Sequence, residues 1–239
     1  MVDAPAGSVY NPNRRPAAGT TRRPHNASRP VLEKNTFVVK EHVKFISNSN
    51  TYDILDAESG QPLGTAQEVI GFVKQLLRFV LPKQLMSTVI EVREKPDDGL
   101  VFSIRRGMYI FRSRVEVLDA NGALVGYYVS KFFTIGGGFH IYDKADKHFA
   151  EIKGKWTGFD YRFLSPDGKV EMGRVSKKLS LGSLVKDLFT SADTYAVQVS
   201  PDLTDEPMAK MLILAAALAI DTIYKEENRG GVSVGGGDE

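Results

Sequence analysis

The sequence contains no cysteine and only one tryptophan in 239 residues. The lack of cysteine excludes disulfides, thiolate nucleophiles, cysteine-based metal sites and palmitoylation. The first residues form no apolar segment, so no signal peptide is predicted. No motif pairs a nucleophile with a base either, and we predict no enzyme activity.

The chain also lacks an apolar run long enough for a membrane span. The longest run, Met211 to Ile220, has ten residues and would be about 15 Å long as a helix, whereas a bilayer core needs roughly 20 residues. This run is apolar on every face, which is typical of a helix in lipid or deep inside a protein. We predict a helix over about 205–226 that is buried in the core, with membrane insertion as the alternative. Its core side chains are predicted to include Met211, Leu212, Leu214, Leu218 and Ile220.

The net charge of +2 conceals a basic N-terminal arm, residues 1–30, with five arginines and one acid. These arginines are Arg14, Arg15, Arg22, Arg23 and Arg29. The arm is rich in Pro, Gly, Ser, Thr and Asn and has little to bury, which predicts disorder. Its charge suggests contact with anionic lipid or nucleic acid, of which we favour phospholipid. A solvated tail that only aids solubility is the alternative. Residues 228–239 are predicted to be a flexible Gly-rich tail.

Residues 31–227 are mostly typical of strands. Four segments repeat one pattern: an aromatic or β-branched run, then a turn with Asp or Gly, then a second run. These segments are residues 52–69, 115–132, 139–156 and 161–178. Such units predict antiparallel hairpins, and the whole region predicts about a dozen strands. Apolar periodicity also predicts helices at Glu68 to Leu81 and at Ser180 to Thr190.

Many hairpins and one wholly apolar helix indicate a closed arrangement. A barrel of about eight strands fills itself with its own side chains, but a barrel of about eleven can enclose a helix. We therefore predict a mainly β fold, a closed antiparallel barrel of about twelve strands around the C-terminal helix.

Two stretches carry a family resemblance, "FHIYDKADKHFAEIKGKWTGFDYRFL" from Phe139 and "PMAKMLILAAALAID" from Pro207. They resemble the C-terminal half of phospholipid scramblases and the related LURP-one proteins of the Tubby-like superfamily. The resemblance covers about residues 30–227. It implies a twelve-stranded barrel around a hydrophobic helix and attachment to membrane phospholipid. In eukaryotic scramblases it further implies calcium-stimulated movement of lipid between leaflets.

The resemblance also implies an acidic calcium segment that begins and ends with Asp. The matching stretch here is "SADTYAVQVSPD", in which Asp193 and Asp202 remain but Ser191 stands at the first acidic position. Calcium prefers six to eight oxygen ligands, including several carboxylates. We therefore expect weak calcium binding or none, and no other cofactor. The alternative reading of the stretch is a plain helix-to-strand turn.

A second candidate metal site lies in the hairpin at 139–156. Its ligands would be His140, Asp143, Asp146 and His148, although strand alternation and a turn explain these residues better.

Two functions remain as hypotheses. The first is a membrane-associated scramblase-type protein, in the cytoplasm at the inner face of the plasma membrane, that binds anionic phospholipid and moves it between leaflets. The second is a soluble LURP-one-type interaction module without lipid transport. The C-terminal resemblance and the basic arm favour the first. Nucleic acid is not expected as a partner, and the oligomeric state is left open.

Overall fold

The computed structural model describes residues 30–42, 50–69, 88–106, 114–130, 138–155, 159–178 and 194–230. Twelve strands form one closed antiparallel barrel in which each strand pairs with its neighbours in sequence and the first pairs with the last. The predicted fold class, a closed barrel of about twelve strands around the C-terminal helix, is confirmed.

The strands are short and follow one another without crossovers. They are β1 Thr36–His42, β2 Thr51–Asp56, β3 Pro62–Val69, β4 Thr88–Glu94, β5 Leu100–Arg106, β6 Arg114–Asp119, β7 Leu124–Ser130, β8 Gly138–Asp143, β9 His148–Lys155, β10 Asp160–Leu164, β11 Glu171–Ser176 and β12 Thr194–Val199. A short helix, α1 (Pro30–Glu33), precedes β1. A 3-10 helix, Pro201–Leu203, and the long helix α2, Pro207–Gly230, follow β12.

Buried and more exposed side chains alternate along the strands, so one face of the sheet lies on the core and the other faces outward. In β4, Ile90 and Val92 are buried while Glu91 and Arg93 between them are half-exposed. This period of two is what a pleated strand with one face on the core requires.

Aspartates at the ends of strands fix the turns that the sequence predicted. The Oδ1 atom of Asp119 accepts hydrogen bonds from the backbone N–H groups of Asn121 and Ala123, both at 2.8 Å. Gly122 completes this turn at φ 80°, a left-handed conformation that glycine adopts without steric cost. Such side-chain bonds replace a backbone partner and favour turns over helix or strand.

The helix α2 lies inside the barrel. Its apolar run from Met211 to Ile220 is between 0 and 9 % exposed, so every face of the helix packs against strands. Glycines on two strands allow this close approach. A Cβ atom on Gly126 would lie 2.9 Å from Cδ2 of Leu212, and one on Gly173 would lie 3.2 Å from Ile213.

One predicted helix begins in the wrong place. Glu68 and Val69 belong to the end of β3, where they pair with Ile90 and Val89 of β4, so the helix predicted from Glu68 to Leu81 cannot start there. Ladder pairing overrides the helical periodicity of these two residues. The remainder of that segment, the helix predicted at Ser180 to Thr190, the arm before Pro30 and the tail after Gly230 lie outside the described residues.

Candidate functional site

The two ends of the barrel differ in how their strands are joined. At one end, here called the turn end, the connections are 57–61, 95–99, 120–123, 144–147 and 165–170, and residues 200–206 lead into α2. At the opposite end, the loop end, the strand ends flank residues 43–49, 70–87, 107–113, 131–137, 156–158 and 179–193, which lie outside the described residues. The helix α2 begins at the turn end and runs toward the loop end.

A buried lysine holds α2 at the turn end. The Nζ atom of Lys210 donates a hydrogen bond to the carbonyl oxygen of Leu32 at 2.8 Å, and the residue is 1 % exposed. Burial lowers the pKa of Lys210 below its usual value of 10.5, and the charges of Asp205 and Glu33 partly oppose this shift. The bond joins α2 to the short helix α1 and covers this end of the core.

Polar side chains lie inside the barrel near the loop end. Asp221 and Thr222 of α2 are 3 and 4 % exposed, and the rings of Tyr52 and Tyr195 are fully buried. Burial raises the pKa of both tyrosines, and the nearby Asp221 carboxylate raises it further. Both phenols therefore remain protonated at physiological pH, where they can donate but carry no charge.

Two small cavities lie between α2 and the strands that surround it. One cavity of about 20 Å³ is lined by Thr88, Ile90, Ile104, Arg106, Val115, Ala219 and Thr222. A second cavity, of about 10 Å³, lies between α2 and the strands near Val115 and Tyr128. The larger holds about one water molecule. Along the described barrel axis, the place that an acyl chain would need is occupied by the buried run of α2.

The outer face of β9, β10 and β11 carries a row of three cations, here called the basic row. Lys153, Arg162 and Arg174 stand directly opposite one another, since Arg162 is the register partner of both others. Their neighbours in sequence, Ile152, Tyr161, Phe163 and Val175, are buried in the core, so the three cations point outward.

The charges of the basic row are unequally neutralised. Arg174 donates to both carboxylate oxygens of Asp160, at 3.0 and 2.9 Å, and this pair lowers the pKa of Asp160. Lys153 lies 3.2 Å from Glu151. Arg162, between them, is exposed, and no carboxylate of the described chain lies within ion-pair distance of it.

Sequence reasoning missed this row, because each strand contributes only one of its residues. The cations in "EIKGK", "YRFL" and "MGRVS" were visible in the sequence. Only the register between the three strands brings the cations together.

The sequence-predicted site residues have different outcomes. Asp202 is exposed in the 3-10 helix Pro201–Leu203. Its predicted calcium partner Asp193, and the five arginines of the arm, lie outside the described residues. The helix residues Met211, Leu212, Leu214, Leu218 and Ile220 are buried.

The hairpin β8–β9 brings two of its four candidate ligands together. His140 Nδ1 and His148 Nε2 lie 3.0 Å apart. Asp143 accepts two backbone N–H groups of its own turn, and Asp146 accepts the hydroxyl of Tyr127 at 2.9 Å. Within the described ranges, no group of three or more His, Cys, Asp or Glu side chains could hold a metal ion.

Among the helices that the structure describes, α2 included, none is long and apolar enough to cross a membrane. A protein-family model described as Scramblase matches residues 43–227. The chain belongs to the scramblase family. No curated protein and no solved structure matches it.

The scramblase match includes eleven of the twelve strands and most of α2. It begins directly after β1, although β1 pairs with β2 on one side and with β12 on the other. The strand that closes the ring of this scramblase-family barrel therefore lies outside the matched segment. Membership of the scramblase family implies interaction with lipid in general.

Proposed function

We propose that this chain is a membrane-associated scramblase-family protein that binds anionic phospholipid at the cytoplasmic face of the plasma membrane. The observation that carries the proposal is the scramblase match over residues 43–227. The basic arm supports it, because five arginines within residues 14–29 attract anionic headgroups. The protein is attached peripherally, through charge on its surface.

The filled barrel restricts how such a protein handles lipid. The helix α2 occupies the axis, and the larger cavity beside it measures about 20 Å³. A phospholipid passing along the axis would first have to displace α2, whose apolar run is almost wholly buried. We therefore assign lipid contact to the outer surface of the barrel and to the arm.

Co-sedimentation with vesicles tests lipid binding. The full chain should sediment with phosphatidylserine-containing vesicles and remain in solution with pure phosphatidylcholine vesicles. Equal binding to both vesicle types, or binding to neither, would contradict the proposal. Raising the salt concentration should weaken binding, because the Debye length shortens from about 10 Å at 0.1 M to about 3 Å at 1 M.

Movement of lipid between leaflets needs a separate measurement. With fluorescent lipid in both leaflets of reconstituted vesicles, dithionite quenches only the outer leaflet unless lipid crosses. Quenching well beyond half, in excess of protein-free vesicles, would support translocation by this chain.

A second candidate function is a LURP-one-type interaction module without lipid transport. The position of α2 favours this function. Because the helix fills the described interior of the barrel, no lipid ligand is needed to fill it. Binding to anionic vesicles without extra dithionite quenching would support a lipid-binding module and exclude translocation.

We propose that this protein has no tight calcium site. Asp202 is exposed on a single turn of 3-10 helix, and Ser191 replaces the first carboxylate that the resemblance implies. Two carboxylates fall short of the ligand set that calcium prefers.

A further inference from the structure

We infer that the basic row, formed by Lys153, Arg162 and Arg174 on the outer wall of β9, β10 and β11, is the surface on which the barrel contacts an anionic phospholipid bilayer. The inference rests on the proposed function and names the contact surface within it. It concerns the folded barrel and is independent of the arm.

The row places three cations side by side, and only the two outer ones have an ion-pair partner in the described chain. Side chains directly opposite on antiparallel strands have Cβ atoms about 4.5–5.5 Å apart, and like charges at that distance are destabilising. Arg162 faces a cation on both sides, Lys153 in β9 and Arg174 in β11. An anionic partner would offset this repulsion.

The central charge has no direct ion pair, although the nearby Asp160 carboxylate attracts it. Arg174 is held by Asp160 and Lys153 by Glu151, whereas Arg162 is exposed and has no ion-pair partner in the described chain. A guanidinium in this position can bind two phosphate oxygens at once without breaking an existing ion pair.

The charges around the row indicate how the barrel would lie. Toward the loop end, exposed Lys177 and Lys178 follow β11. Toward the turn end, Glu151 and Glu171 lie opposite Leu164. Apart from Asp160, which holds Arg174, the charges described here are therefore basic toward the loop end and acidic toward the turn end, and the bilayer would contact the wall on its loop side.

The surroundings of the basic row favour a membrane over a nucleic acid as its partner. The row continues into Gly138 of β8 beside Lys153 and into Gln198 of β12 beside Arg174. Neither offers an aromatic ring on which a base could stack, and single-stranded nucleic acid sites depend on such rings. A planar array of phosphates needs only exposed cations.

The test compares variants of the full chain by co-sedimentation with phosphatidylserine-containing vesicles. Arg162→Gln should weaken binding about fivefold, since each cation near an anionic surface contributes about 1 kcal/mol, and Arg162→Glu about 25-fold. The matched control is Lys169→Gln, which removes one charge from an 81 % exposed side chain in the turn at 165–170. Its binding should stay within twofold of the wild type.

Thermal unfolding of the same variants separates binding from folding. Arg162→Glu places an acid between two cations, so its Tm should rise by about 1–3 °C while its affinity falls. Loss of binding together with a lowered Tm would overturn the inference, because it would indicate damage to the fold.

The outcomes distinguish the contact surface from the proposed function. If the wild type does not bind anionic vesicles, both are overturned. If the wild type binds and Arg162→Glu binds equally well, only the basic row is overturned. If Arg162→Glu loses binding to single-stranded DNA but not to vesicles, the row serves nucleic acid and the membrane assignment is wrong.

Discussion

The hydroxyl of Tyr128 donates a hydrogen bond to the carbonyl oxygen of Leu212 at 2.6 Å. Tyr128 belongs to β7 and Leu212 to α2, so the bond joins the barrel wall to the enclosed helix. Both residues are 2 % exposed, and burial raises the pKa of Tyr128 well above its usual value of 10.0. At physiological pH the phenol is therefore protonated and can donate this hydrogen bond.

We predict that Tyr128→Phe lowers the free energy of unfolding by about 1–2 kcal/mol, because it removes a buried hydrogen bond. Tyr195→Phe is the matched control, since the buried hydroxyl of Tyr195 has no hydrogen-bond partner in the described chain. That variant should be neutral or slightly stabilising. Urea unfolding measures both changes, and equal losses in the two variants would contradict the prediction.

A charge on the enclosed helix should prevent folding. Leu214 and Ala216 are 0 and 1 % exposed, so Leu214→Asp and Ala216→Arg each bury an unpaired charge at a cost of several kcal/mol. We expect no soluble folded protein from either variant. Met208→Asp, at a 40 % exposed position of the same helix, should fold normally. Normal expression and thermal unfolding of the first two variants would rule out burial.

The buried lysine should give stability a particular pH dependence. The pKa of Lys210 is lower in the folded protein than its usual 10.5. Between those two values the unfolded chain therefore binds more protons than the folded chain, and stability rises with pH. Relative to Lys210→Met, the wild type should gain Tm as pH increases toward 10.5. Parallel Tm curves for the two proteins would show that Lys210 keeps its usual pKa.

Calcium should bind more weakly than millimolar, or not at all, because Asp193 and Asp202 supply only two carboxylates. Isothermal titration calorimetry on the wild type and on Asp193→Asn measures this directly. Micromolar binding that is lost in the variant would establish the calcium site that we do not expect.

Deletion of residues 1–29, which leaves α1 intact, should weaken binding to phosphatidylserine vesicles at least tenfold. Each arginine near an anionic surface contributes at most about 1 kcal/mol, and the arm carries five. We expect the Tm of the barrel to stay unchanged. A deletion variant that binds as tightly as the full chain would make the arm a solvated tail and leave all contact to the barrel.

The barrel was predictable because its signals are local. Alternation and turn residues such as Asp119 and Gly122 identify hairpins without knowledge of the fold, and the apolar run of α2 required an enclosure. The basic row was not predictable in this way, since Arg162 meets Lys153 and Arg174 only through strand register. Glu68 and Val69 were assigned to a helix because helical periodicity in a short apolar segment cannot show a strand partner such as β4.

The pairing of β1 with both β2 and β12 determines which fragments of this chain can be handled in solution. A fragment cut at the family boundary, residues 43–227, would lose β1 and leave two sheet edges with unpaired N–H and C=O groups. Natural proteins protect such edges, because an exposed edge is a template for intermolecular strand addition. We therefore expect removal of residues 36–42 to turn a closed ring of strands into an open sheet that aggregates.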